Sequence, residues 1–274
     1  MSILEHLAEL RDRLIRACLA LVITSIVAFT WLYEPLLRFV TQFYCDIPAK
    51  YRVATAGGGC RLLALGPLDP FGIRIKVALT AGLVLAMPYI AYQLWRFITP
   101  GLRRNEKRYA VPFALASTIL FAMGVTLATY TIPRGIGFLV ALGGDNLTVF
   151  FQADRYLRFV LFMGLAFGLT FEFPLVLIFL SMVGILSSRT MLKAWRAAVA
   201  IIIVVAAVVT PTQDPINLFA MAIPMWIFYF GAAAIARFLI EPARARRRAQ
   251  LEHPASTAPS EAASRSQAGA DRDR

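Results

Sequence analysis

The sequence predicts an all-α polytopic membrane protein: six transmembrane helices, spans 5 and 6 short, and both termini cytoplasmic. Three observations predict it. The 274 residues are 59% hydrophobic and only 16% charged, against about 25% charged in soluble domains. The apolar residues gather into long runs rather than alternating with polar ones, the pattern expected of spans through lipid. The arginines and lysines crowd into alternate connecting segments, as the positive-inside rule requires.

Span 1 covers Ile15 to Tyr33, span 2 Ile73 to Trp95, span 3 Tyr109 to Ile132 and span 4 Leu157 to Val183. Each is about 19 residues or longer, enough for a hydrocarbon core ~30 Å thick at ~1.5 Å of rise per residue. Span 5, Ala197 to Val209, gives only roughly 20 Å of helix. A short polar turn, Thr210 to Asn217, separates it from span 6, Leu218 to Ala236. A short pair of this kind is either a helical hairpin packed against longer neighbours or a device that lets the bilayer thin locally.

Arg11, Arg13 and Arg16 precede span 1. Arg96, Arg103, Arg104, Lys107 and Arg108 follow span 2. Arg189, Lys193 and Arg196 follow span 4, and Arg237, Arg244, Arg246, Arg247 and Arg248 follow span 6. The 133–156 segment has only Arg134 and Arg155, and the 34–72 segment spreads its cations thinly. The charged stretch ahead of span 1 lacks a small-residue cleavage site, so span 1 is expected to act as its own insertion signal. The net charge of +12 belongs to cytoplasmic loops facing anionic lipid. No soluble basic stripe with interleaved aromatics offers itself to nucleic acid.

Residues 1–240 therefore form one membrane domain. Residues 241–274 read as a disordered basic cytoplasmic tail, too poor in apolar residues to order itself. The outer loop 34–72 begins with an amphipathic stretch, Pro35 to Tyr44, expected to lie as a helix at the interface. The same loop holds Cys45 and Cys60, which the charges place outside, where a disulfide is favoured. Gly57, Gly58 and Gly59 would let the chain bend back, although two unpaired thiols remain the alternative. No internal repeat is evident, which argues against repeat-built transporter folds.

Enzyme chemistry has little to stand on. The two histidines, His6 and His253, lie outside the spans. No metalloprotease, nucleophile-elbow or phosphate-cradling motif occurs, and no cofactor or metal is implied. One acid stands out: Glu172, in Phe171-Glu172-Phe173-Pro174 within span 4. An intramembrane carboxyl is expensive and is a functional candidate by default. The plainer reading is an interhelical hydrogen bond. Gln93 and Thr170 are polar residues able to share its face, Pro174 should bend span 4, and Pro88 should kink span 2. On the cytoplasmic side, His6-Leu7-Ala8-Glu9-Leu10-Arg11 leads into span 1. Trp95-Arg96-Phe97-Ile98-Thr99-Pro100-Gly101-Leu102 ends span 2 ahead of Glu106. For Glu9 and Glu106 the plain reading is local ion pairing, which is weak at exposed sites.

These segments, with Thr210-Pro211-Thr212-Gln213-Asp214-Pro215 and Ala222-Ile223-Pro224, resemble in order the TatC family, the multi-spanning receptor subunit of the twin-arginine protein translocase. The resemblance covers nearly all of residues 1–240. It implies a non-enzymatic receptor that docks the paired arginines of a signal peptide between Glu9 and Glu106, framed by Arg11, Arg96, Phe97, Pro100 and Leu102. Guanidinium forks match carboxylates where lysine does not. It further implies that Glu172, flanked by Phe171 and Pro174, lies on a face that receives single-span TatA or TatB partners. Pro35 and Pro88 would then be shaping prolines, and Asp214 an acid of the last outer loop. The expected setting is the bacterial inner membrane, in a hetero-complex with more than one copy, driven by the proton-motive force. The chain departs from the family in the last outer loop, where a glutamine often follows the acid matching Asp214 by a few residues and here Asn217 or nothing takes that role, in the enlarged outer loop, and at Leu62, where some members carry methionine. The competing reading is a proton-coupled secondary transporter using Glu172.

Overall fold

The structure is a computed structural model and describes residues 3–45, 62–98, 110–142, 152–210 and 214–242. Within them the fold is helical: α1 (Ile3–Val27), α2 (Tyr33–Cys45), α3 (Asp69–Ile98), α4 (Ala110–Leu142), α5 (Ala153–Thr170), α6 (Phe173–Val183), α7 (Ser188–Lys193), α8 (Trp195–Val209) and α9 (Pro215–Ile235). No strand forms among the described residues. A single bridge between Leu63 and Gln152, with Ala153 N–H donating to Leu63 O at 2.8 Å, ties the outer loop to the start of α5.

Five helical segments are long and apolar enough to cross a membrane: Glu5–Cys45, Asp69–Ile98, Ala110–Leu142, Ala153–Val183 and Pro215–Ile240. Trp195–Val209 is a shorter apolar helix. Its 15 residues reach about 22 Å, so span 5 is short as the sequence predicts. Span 6 is not. Asp214 caps α9 before Pro215, which needs no N–H at a first-turn position. At the other end a wider π turn, Ala236–Ile240, prolongs the helix.

The stretch after span 1 also differs from expectation. Pro35–Tyr44 is helical but continues α1 as one long helix instead of lying apart at the interface. The junction is a π turn at Ala28–Leu32, immediately before Pro35. That proline has no N–H for the carbonyl of Trp31, and a one-residue widening of the ladder absorbs the mismatch. Arg74 of α3 closes the junction. Its guanidinium donates to Phe29 O at 3.1 Å and lies over the rings of Phe29 and Tyr33 at 4.7 and 4.8 Å.

Span 4 breaks more sharply than a bend. Helix α5 ends at Thr170, Phe171 and Glu172 form a turn, and α6 restarts with Pro174 in its first turn. By contrast, α3 stays helical on both sides of Pro88.

Small residues set the helix spacing, as is usual in membranes. A Cβ on Gly82 would come within 2.7 Å of the Ser25 backbone, and one on Gly124 within 2.6 Å of Phe167 O. So α1 lies backbone-close to α3, and α4 to α5. Ala128, Ile132, Met163, Phe167, Met221 and Ala222 fill the core among α4, α5 and α9. A second cluster, Met87, Ala91, Trp95, Ala114, Phe121 and Leu175, packs the other end of α3 and α4. Helix α1 stays at the edge, with little of its apolar face buried.

Candidate functional site: two half-paired carboxylates

The first cluster lies where α1 meets the last turn of α3. Glu9 and Arg13 are one helical turn apart, the favourable order for an ion pair. Glu9 Oε1 accepts from Arg13 Nε at 3.1 Å and from its Nη2. Glu9 Oε2 is buried and receives no hydrogen bond among the described residues; His6 Nδ1 lies 3.9 Å from it. His6 stacks face to face on Phe97, centroids 4.4 Å apart at 11°. The amphipathic lead-in of α1 thus brings Glu9 and Phe97 to one place, with His6 between them. Arg96 flanks the cluster and donates to Tyr92 OH at 3.2 Å. Arg11 points elsewhere, pairing with exposed Asp12 at 3.2 Å. Pro100, Leu102 and Glu106 lie outside the described residues.

The second cluster surrounds Glu172 in the α5–α6 turn. The carboxylate stands at the N-cap of α6 but makes no capping bond. Instead the Ser117 hydroxyl of α4 donates to Glu172 Oε2 at 2.6 Å. Ser117 Oγ in turn accepts the indole N–H of Trp95 at 2.8 Å. Trp95 and Ser117 are 3% and 2% exposed, so both bonds run through a water-poor interior. Phe113 and Phe179 fix the indole plane at 4.6 and 5.4 Å. Glu172 Oε1 is buried without a hydrogen-bond partner among the described residues, and so is Gln93 Oε1. Thr170 turns toward α9, its hydroxyl 3.8 Å from Met221 Sδ, and so does not join Glu172. Phe171 is buried edge-on against Phe228 at 5.0 Å, and Pro174 is buried in the first turn of α6.

Two other acids are closed. Asp154 pairs with Lys76 through Oδ1 and with Arg158 Nη2 through Oδ2 at 2.9 Å. Asp214 accepts Asn217 N–H at 2.7 Å and Asn217 Nδ2 at 2.9 Å, so its role is that of a buried helix cap. Asn217 fills the space beside Gly135. Cys45, at the end of α2, is disulfide-bonded, while Cys60 lies outside the described residues. No group of three metal-ligating side chains occurs among the described residues.

Trp95 carries a family motif, yet nothing in the sequence ties it to Glu172. Ser117 carried no signal at all, since a lone serine in an apolar span is ordinary. Arg13 was legible as the i+4 partner of Glu9.

Comparison with known proteins follows the same outline. The family model for Sec-independent protein translocase protein (TatC) matches residues 5–224. A Sec-independent protein translocase protein TatC from Frankia casuarinae is 41% identical over 86% of this chain and 65% of its own length. The relative of the same name from Corynebacterium kroppenstedtii is 35% identical over 82% of this chain and 58% of its own length. The chain therefore spans about three fifths of those two relatives, but 83% of the one from Xylanimonas cellulosilytica, at 37% identity. The crystal structure of the twin arginine translocase receptor TatC in DDM superposes with a TM-score of 0.71 at 32% identity, covering 84% of this chain and 99% of that one. The chain belongs to the TatC family of Sec-independent protein translocase proteins.

Proposed function

We propose that the chain is the receptor subunit of a twin-arginine translocase in the bacterial inner membrane, with both termini cytoplasmic. The observation that carries this reading is the half-paired Glu9: one oxygen held by Arg13, the other buried and bare beside His6 and Phe97. A buried carboxylate oxygen without a donor is costly, and an arriving guanidinium relieves that cost with a charge-assisted bond. Glu106, on the loop after α3, supplies the second acid. Arg11, Arg96, Phe97, Pro100 and Leu102 frame the site.

Glu172, with Phe171 and Pro174 around it, receives TatA- or TatB-type single-span helices within a complex holding more than one copy of this chain. The proton-motive force drives transport of folded cargo, and the short α8 favours local thinning of the lipid. Pro35 and Pro88 shape the long helices, Asp214 anchors α9, and a Cys45–Cys60 bridge closes the outer loop. Enzymatic activity has no place in this reading.

A photocrosslinker at position 106 tests it. The expected result is labelling of a twin-arginine signal peptide and weak labelling of its twin-lysine version. Equal labelling of both overturns the docking site. A proton-coupled transporter would instead need a polar path for solute. An apolar cavity of about 190 Å³ among α2, α3, α4 and α5 offers little but Thr80 and Thr129 for a solute to bond.

A further inference from the structure

We propose that Trp95 and Ser117 are positioning residues: a two-bond relay that transmits the state of the cytoplasmic end of α3 to Glu172. The inference rests on the reading of Glu9 and Phe97 as the signal-binding end and of Glu172 as the partner-binding acid.

The argument starts from the hydrogens. An indole N–H only donates, so Ser117 Oγ must accept from Trp95. A hydroxyl has one hydrogen, and Ser117 spends it on Glu172 Oε2. In this arrangement Oε2 is an acceptor. The oxygen left for an incoming group is Oε1, the one that is buried and bare. Ser117 thus selects which end of the carboxyl is presented.

The serine has an alternative. Along the same helix, Thr118, Thr126 and Thr131 each donate back to the carbonyl four residues earlier, at 2.8 Å. Ser117 could do the same to Phe113 O, the usual behaviour of a membrane hydroxyl, and does not. The Trp95 indole, which needs an acceptor when buried, holds it in the forward state. Two discrete hydroxyl positions, one bonded to Glu172 and one to its own helix, make a switch element of the kind coupling requires.

The input lies two residues from Trp95. At 3.6 residues per turn, Trp95 and Phe97 point to nearly opposite sides of α3. Phe97 is stacked on His6, beside Glu9. A ligand that draws Glu9 and His6 to itself turns or shifts that last helical turn. The same motion carries the Trp95 indole off Ser117.

The test uses the full chain in lipid nanodiscs with its single-span partners co-expressed. Ser117→Ala should leave twin-arginine peptide affinity within about twofold and lower partner copurification about tenfold, the factor expected for one lost charge-assisted bond. Ser117→Thr, which keeps the hydroxyl, should restore it. Trp95→Phe should leave peptide affinity in place but abolish the peptide-dependent change in partner capture. In the unmodified chain, saturation with peptide should shift the Glu172 carboxyl infrared band, identified by its loss in Glu172→Gln.

Normal partner capture by Ser117→Ala alongside its loss in Glu172→Ala overturns the relay and leaves the role of Glu172 standing. Normal capture by both removes that role as well. A Glu172 band indifferent to peptide overturns the coupling even if the Ser117 and Trp95 variants fail to fold.

Discussion

Asp154 and Glu172 stand at opposite ends of α5 and have been treated differently by the fold. Asp154 has a cation on each oxygen, one from α3 and one from its own helix. Glu172 has a neutral hydroxyl on one oxygen and nothing on the other. The contrast extends to the other acids. Asp214 and Glu241 each have both oxygens bonded, whereas Glu9 resembles Glu172 in leaving one buried oxygen bare. Burial alone does not separate these groups. Completeness of pairing does: a finished carboxylate holds helices together, and an unfinished one keeps a buried acceptor open.

Breaking a finished carboxylate should cost stability first. Asp154→Ala leaves Lys76 on a span-forming helix with no counterion. A fully buried pair so broken costs ~3–5 kcal/mol; partial exposure of both side chains brings the expectation to about 2–3 kcal/mol, read as a lower thermal midpoint in nanodiscs. Asp214→Ala should cost about 1–2 kcal/mol as a lost cap, with faster hydrogen exchange at the start of α9. The unfinished groups should behave in the opposite way. Glu9→Gln should change the thermal midpoint by no more than about 0.5 kcal/mol equivalent, while peptide binding falls. A large stability loss there would erase the distinction.

The smallest effect concerns pH. Glu241 accepts the Ser188 N–H and its hydroxyl, and with Arg189 and Arg237 nearby these bonds hold its carboxyl below the ordinary value of 4.5. A depressed carboxylate stabilises the fold above its unfolded-state value and loses that contribution as pH falls through the folded one. Exchange protection at α7 should therefore be steady near neutrality and decline only below about pH 4.5. Glu241→Gln should flatten the decline, and an unchanged profile would show that the contact does not hold α7.

Much of the architecture was readable before the structure. Six apolar runs, the short Ala197–Val209 helix and the intramembrane Glu172 follow from composition and length, because lipid forces every backbone group into a helix. The pairings were not readable. Lys76 meets Asp154 across 78 positions, and Ser117 meets Glu172 across 55. No local periodicity encodes which helix faces land opposite each other. Span 6 runs longer than its apolar run because a wider turn, Ala236–Ile240, carries the helix on past the charged Arg237. The fusion of span 1 with Pro35–Tyr44 is illegible for a related reason: Pro35 breaks the regular hydrogen-bond ladder, and a π turn at Ala28–Leu32 lets the chain pass it.

That fusion has a mechanical side. Glu5–Cys45 is 41 residues long, about 60 Å of continuous helix, and Arg74 grips it at Phe29, not far from its midpoint. The rod is pinned at its far end too, where Tyr156 OH donates to Val40 O at 3.1 Å and Val40, Phe43 and Tyr44 enter the core. It therefore works as a splint: one helix strapped to α3 and α5 at several heights, which keeps its two ends in register with each other.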